Sequence, residues 1–153
     1  APVRFTKFDT KSRKAVAQYG YLLDAVADKP VPDTAFSVNG ISENLFIGNE
    51  QFLVLERSYS TGFPNCVIKI YLADFSKATN VLNTATLFQN KQYIPASKKL
   101  LFNLNTLNVH IDNVEGITLG PILPNGRQSL LLIADNNFNE LEKQQVFLFE
   151  ILP

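Results

Sequence analysis

Asn39-Gly40-Ile41-Ser42, Phe52-Leu53-Val54-Leu55-Glu56-Arg57 and Val67-Ile68-Lys69-Ile70-Tyr71 form a series that returns later in the chain. Its second copy runs Glu115-Gly116-Ile117-Thr118, Leu130-Leu131-Leu132-Ile133-Ala134-Asp135-Asn136 and Val146-Phe147-Leu148-Phe149-Glu150. In each copy a Gly-Ile pair opens one apolar segment, a second segment ends in a polar tip, and a third follows. Repetition on this scale marks an architecture of stacked units, each too small to bury its apolar face alone. Val67 to Leu72 alternates in period two, and no segment holds a helical stripe over the roughly ten residues a helix requires. The repeated unit is therefore a run of antiparallel strands. Lys99 to Leu104 supplies a fourth strand after the first copy, and Arg4 to Asp9 with Ala15 to Leu23 fit as third and fourth strands of an earlier unit.

Nine segments carry the strand composition, rich in Val, Ile, Leu, Phe and Tyr between turn-forming clusters: Val3 to Asp9, Ala15 to Leu23, Gly40 to Ile47, Gln51 to Ser58, Val67 to Phe75, Lys99 to Leu104, Val114 to Gly120, Ser129 to Ala134 and Gln145 to Ile151. Fifteen asparagines suit the tight connections between them. Short helical turns are expected near Ser76 to Leu82 and Asn139 to Gln144. The fold class is all-β, a fragment of a β-propeller made of four-stranded antiparallel blades, with a β-sandwich as the alternative. The blade-like units are 1–24 (partial), 40–105 and 114–152 (partial). Open strand edges on such a fragment invite a dimer.

Composition narrows the partners. Fourteen basic and fourteen acidic side chains leave the 153-residue chain neutral, without the basic surface that nucleic acid or an anionic membrane requires. Apolar runs such as Leu130 to Ala134 are far short of the roughly 20 residues of a membrane-spanning helix, so membrane insertion is not expected. A single cysteine, Cys66, and a single histidine, His110, give little material for a thiolate zinc site or a Cys/His nucleophile. No Gly-Xaa-Ser-Xaa-Gly elbow and no glycine-rich phosphate loop are present. There is no methionine, and Ala1-Pro2-Val3-Arg4-Phe5 lacks a signal segment and already reads as strand, so the chain is expected to be trimmed within structure.

The run Val114-Glu115-Gly116-Ile117-Thr118-Leu119-Gly120-Pro121, then Leu123-Pro124-Asn125-Gly126-Arg127, then Leu130 to Phe138, resembles the closing segment of the phytase-like domain, also described as the esterase-like domain of phytase. Gly40-Ile41-Ser42-Glu43, Leu55-Glu56-Arg57-Ser58-Tyr59, Ile70-Tyr71-Leu72-Ala73-Asp74 and Arg4-Phe5-Thr6-Lys7-Phe8-Asp9 are similar to it in the same order. The resemblance covers the C-terminal half of that domain. It implies a secreted, periplasmic or surface-attached bacterial protein with a propeller-like fold, and a hydrolase acting on a phosphorylated small molecule.

Antiparallel pairing places candidate chemistry independently of that resemblance. The start of one strand lies beside the end of the next, so Glu115 and Asp135-Asn136 are expected at one sheet edge, and Glu43 and Glu56-Arg57 at the corresponding edge of the neighbouring sheet. Glu43, Glu115, Asp135 and Asn136 are the oxygen donors expected to hold Ca²⁺ or Mg²⁺, while Arg57 suits a bidentate pair with phosphate. Glu115, Glu56 and Arg57 are the catalytic candidates: a metal would polarise the phosphoryl oxygen and activate a water while a Glu takes the proton. Each has a structural alternative. Glu56-Arg57 also reads as an inter-blade ion pair, Asp135-Asn136-Asn137 as a self-capping turn, and Glu115 as a buried acid needing a partner. Lys69 reads as a solvated face, and Tyr59 and Phe63 as site floor or core. A chain lacking several blades is expected to be inactive alone; a non-catalytic binding or scaffold propeller module is the alternative function.

Overall fold

The computed structural model describes residues 1–88 and 92–152. Among the described residues nine strands form three antiparallel sheets: β1 (Pro2–Asp9) and β2 (Lys14–Leu22); β3 (Ser37–Gly48), β4 (Gln51–Ser60), β5 (Val67–Asp74) and β6 (Ser97–Asn103); β7 (Val114–Ile122), β8 (Gln128–Ala134) and β9 (Gln145–Glu150). Every connection within a sheet joins neighbours in chain order, which yields an all-β, propeller-like set of blades of two, four and three strands. The order agrees with the repeat: two closing strands, one complete unit, then three opening strands.

The second sheet is sandwiched between the other two because its strands carry apolar residues at both parities. Leu53 and Leu55 of β4, with Ile68 and Ile70 of β5, join Val114, Ile117, Leu130, Leu132 and Ala134 of the third sheet in one core cluster. The intervening positions Val54 and Ala73 face the first sheet and pack with Tyr21, Phe75 and Ala96, extended by Phe5, Tyr19 and Phe52. Phe75 anchors this second core, its ring centroid 4.8 Å from Phe5 and 5.4 Å from Phe52. The second and third sheets meet chiefly through their opening strands, β3 and β7.

Two expected helical turns are absent. Residues 76–82 and 139–144 are irregular turns, because Asp74 and Asn139 close local loops with their side chains. Asp74 Oδ1 accepts from Ser76 N–H (2.8 Å) and Oγ (2.6 Å), and Asn139 Oδ1 accepts from Leu141 N–H (3.1 Å). A 3₁₀ turn, Leu104–Leu107, follows β6, opened by Asn103 and closed by Asn108 in the left-handed region (φ +55°). The connection from β5 returns along β2, where Ala96 N–H donates to Gly20 C=O (2.8 Å) and Val81 N–H to Gln18 C=O (2.7 Å).

Candidate functional site: two gaps between the sheets

Glu56 and Arg57 are sequence neighbours on β4, and strand alternation sends them to opposite faces of the second sheet. They therefore serve different gaps. Glu56 continues the parity of Val54 toward the first sheet, while Arg57 continues that of Leu55 toward the third. The polar tip expected as one feature is divided by the pleat.

In the first gap, Glu56 is 2% exposed and every neighbour is a donor. Oε1 accepts from Tyr21 Oη (2.8 Å) and Lys98 Nζ (2.7 Å); Oε2 accepts from Asn39 Nδ2 (2.9 Å) and Asp24 N–H (3.2 Å). Lys98 also reaches Asp24 Oδ1 (2.6 Å) and lies 4.2 Å from the centroid of the Tyr71 ring, while Lys69 stands 3.5 Å from Asp24 Oδ2. Tyr71 donates its hydroxyl to the same carboxylate. Two acids and two lysines balance, and the carboxylates are ringed by hydrogen bonds as buried charges require. Lys69, expected on a solvated face, belongs to this network. Burial, then the Glu56 carboxylate, raises the Tyr21 hydroxyl pKa; burial, then Asp24, does the same at Tyr71. Glu56 is thus a strut between sheets, and the pocket it lines with Asp24, Asn39 and Lys69 measures only about 10 Å³, too small for a substrate.

In the second gap, an open cavity of about 340 Å³ lies where the ends of β4 and β5 meet the connection before β7 and the segment after β8. Arg57, Tyr59, His110, Asn113, Asn137 and Glu142 line it. Arg57 Nη1 donates to Asn113 Oδ1, and Asn113 Nδ2 donates to Glu115 Oε1 (2.5 Å), a relay that joins two of the three catalytic candidates. Glu115 is exposed rather than buried, on a bulge between Val114 and Gly116. His110 is held between Asn65 Oδ1 at Nδ1 (2.6 Å) and Asp112 Oδ2 at Nε2 (3.4 Å). Gln145 of β9 clasps the same connection, accepting from Asp112 N–H (2.8 Å) and donating to His110 C=O (2.8 Å). Cys66 lines the wall; burial raises its thiol pKa, with Arg57 opposing the effect.

The four expected metal ligands are not gathered into one shell. Glu43 Oε1 accepts from Asn44 N–H (2.7 Å), Asp135 Oδ1 from Asn137 N–H (2.8 Å) and Asn136 Oδ1 from Phe138 N–H (3.3 Å), so three of them cap their own backbone, while Glu115 holds Asn113. Among the described residues no group of three or more His, Cys, Asp or Glu side chains is arranged to hold a metal ion. A hard cation asking for six or more oxygens is not served by these residues.

Electrostatics give an acid-side signature. Burial acts to raise the Asp112 pKa, yet donation by Lys143 N–H, Asn113 N–H and His110 holds it below the usual carboxylate range. Asp24 behaves alike, with Lys98 and Tyr71 outweighing burial. A carboxyl whose folded pKa is depressed adds stability that is complete above its unfolded value, roughly 3.9, and lost as pH falls through the folded value. The stability difference between the wild-type chain and Asp112→Asn should therefore shrink as pH falls from about 5 through 4 to 3. Urea melts at pH 5, 4 and 3 measure it; a difference that widens over that interval would contradict the assignment.

Tyr21, Asp24, Asn39, Lys98, Asp112 and Glu142 carry much of the polar chemistry of the two gaps and were not expected from the repeat. A visible signal existed for Asn39 alone, which occupies the repeat position of Glu115. The family described as "Phytase-like: Esterase-like activity of phytase" matches residues 1–138. No curated protein and no solved structure matches the chain. The family match runs from β1 through β8 and takes in Arg57, Asn113 and Glu115, and the chain belongs to the phytase-like family.

Proposed function

We propose that residues 1–153 are part of a phytase-like hydrolase module in which the cavity between the second and third sheets binds the phosphoryl group of a small molecule. The observation that supports it is the Arg57 guanidinium in an open cavity of about 340 Å³ beside His110, Tyr59 and Asn113. Guanidinium offers five N–H donors in a rigid fork suited to phosphate oxygens. Asn113 Oδ1 accepts from Nη1, and the Arg57 side chain lines the cavity. His110 brings an imidazole to the cavity wall, and its two oxygen partners orient the ring. Asp112 and Glu142 already accept bonds from Lys143 N–H and Asn137 Nδ2, so their charge is partly engaged.

Titration of the chain with phenyl phosphate, followed by amide chemical shifts, tests this reading. Saturable shifts are expected around residues 57 and 110–115, and Arg57→Ala should weaken binding by at least about tenfold, as expected for loss of a charge-assisted pair. Arg57→Lys should recover part of the loss, since charge remains without the fork. Unchanged affinity in Arg57→Ala would remove the basis for the proposal. The isolated chain is expected to turn over phosphomonoesters little or not at all. The engagement of Glu43, Asp135 and Asn136 with their own backbone supports a second reading, a binding module without catalysis, in which Glu115→Gln changes no activity of a longer protein containing this module.

A further inference from the structure

A second open space lies away from the Arg57 cavity. A groove of about 650 Å³ runs between β1 and the second sheet, floored by Ile41, Phe46, Phe52 and Phe75. Five consecutive β1 residues, Val3 to Lys7, line it. Consecutive residues of a strand point to alternate faces, so all five can border one space only where that space follows the strand's edge. Among the described residues this edge is unpaired, since β1 is paired there with β2 alone. Leu23 N–H donates to Ala1 C=O (3.0 Å), which fixes the phase of the ladder in the register Val3↔Tyr21 and Phe5↔Tyr19. The N–H and C=O groups of Arg4 and Thr6 consequently point away from β2 and into the groove.

The repeat says what shape fills the space. In the third sheet, Ile117 is 8% exposed and shares a core with Leu53 and Leu55 of β4, the second strand of the preceding sheet. Its counterpart in the second sheet is Ile41, which faces the groove. The repeat reads β1 and β2 as third and fourth strands of a unit, the places of β5 and β6 in the four-stranded sheet, and on that reading the place beside β1 corresponds to β4. We infer that the groove receives one extended polypeptide strand from outside residues 1–153, antiparallel to β1, with alternate large apolar side chains seated on Ile41, Phe46 and Phe52. Affinity comes from strand addition at Arg4 and Thr6, and selectivity from the spacing of apolar residues, as in edge-strand recognition generally. Phe46 is 58% exposed and Phe52 lies 5.2 Å away between ring centroids, a platform broad enough for two such side chains.

A synthetic peptide with the sequence of β4, residues 51–60, serves as the probe. Added to the 153-residue chain, it should slow amide exchange at Arg4 and Thr6 by at least about tenfold at saturation, with Phe5 unchanged because its N–H already faces β2. N-methylation at alternate peptide residues should weaken binding by at least about tenfold, and Phe46→Asp should do the same. Because Phe46 is largely exposed, circular dichroism of Phe46→Asp should match the wild type. Equal binding by the N-methylated peptide, or no slowing at Arg4 and Thr6 at millimolar peptide, would overturn strand addition. Slowing at these amides with protein concentration alone, together with a dimer mass, would assign the groove to a second copy and overturn the proposal equally.

Discussion

Replacing Lys98 with methionine is expected to lower the unfolding free energy by about 3 kcal/mol, the low end of the range for stripping one partner from a buried ion pair. Glu56 is 2% exposed, so its charge cannot be taken over by water. Asp24 is about a third exposed and retains Lys69 at 3.5 Å, which is why the upper end of the range is not expected. Methionine keeps the packing of the aliphatic stem against Tyr71 while removing the ammonium that lies over its ring. The pairing is tested by adding Glu56→Gln to Lys98→Met. Glutamine carries no charge and its oxygen still accepts from Tyr21, while its NH2 meets the Asn39 and Asp24 donors, so the double variant should regain only part of the loss, about 1 kcal/mol over Lys98→Met alone. Urea unfolding of the four proteins in the cycle supplies the numbers. A loss below about 1 kcal/mol, or strict additivity, would mean that the cluster does not tie the first sheet to the second.

Strand order was legible because it depends on period-two patterning and on turn residues, both local properties. Gly40-Ile41 and Gly116-Ile117 do enter corresponding strands, although β3 begins earlier, at Ser37, than the apolar run suggests. The tips of the two copies are less alike than their sequences imply. Ile41 lies opposite Glu56, whereas Ile117 lies opposite Leu132, so Asp135 and Asn136 fall beyond the level of the β4 tip. Bulges cause the difference: the shift sits after Ile41 in one copy and before Gly116 in the other. The separation of Glu56 from Arg57 was readable in principle, since Leu53-Val54-Leu55 already alternates between two cores. The partners of Glu56 were not. Tyr21, Asp24 and Lys98 come from another sheet, a loop and a distant strand, and nothing in their local spacing reports that folding brings them together. The same holds for the Arg57 cavity, whose far wall is built by the connection before β7 and the turns after β8.

Leu132→Ala and Ile133→Ala are expected to differ sharply although they alter neighbouring residues of one strand. Leu132 is fully buried in the core joining the second and third sheets, so truncation should cost about 3 kcal/mol or more in transfer and cavity terms. Ile133 is 45% exposed on the opposite face, and its truncation should cost under about 1 kcal/mol. Both changes remove strand propensity, so the gap between them isolates docking of the third sheet on β4. Denaturant midpoints measure it, and near-equal costs would count against stacked sheets with one covered and one bare outer face. The cavity gives the comparison a functional side. Arg57 belongs to the second sheet, while Asn113 and Glu115 belong to the approach and opening of the third, so the relay between them exists only while the sheets stay docked. Phosphate-induced shifts should consequently vanish in Leu132→Ala at denaturant concentrations where the wild type and Ile133→Ala still respond. Binding and sheet docking would then fail together, as expected for a site that no single sheet contains.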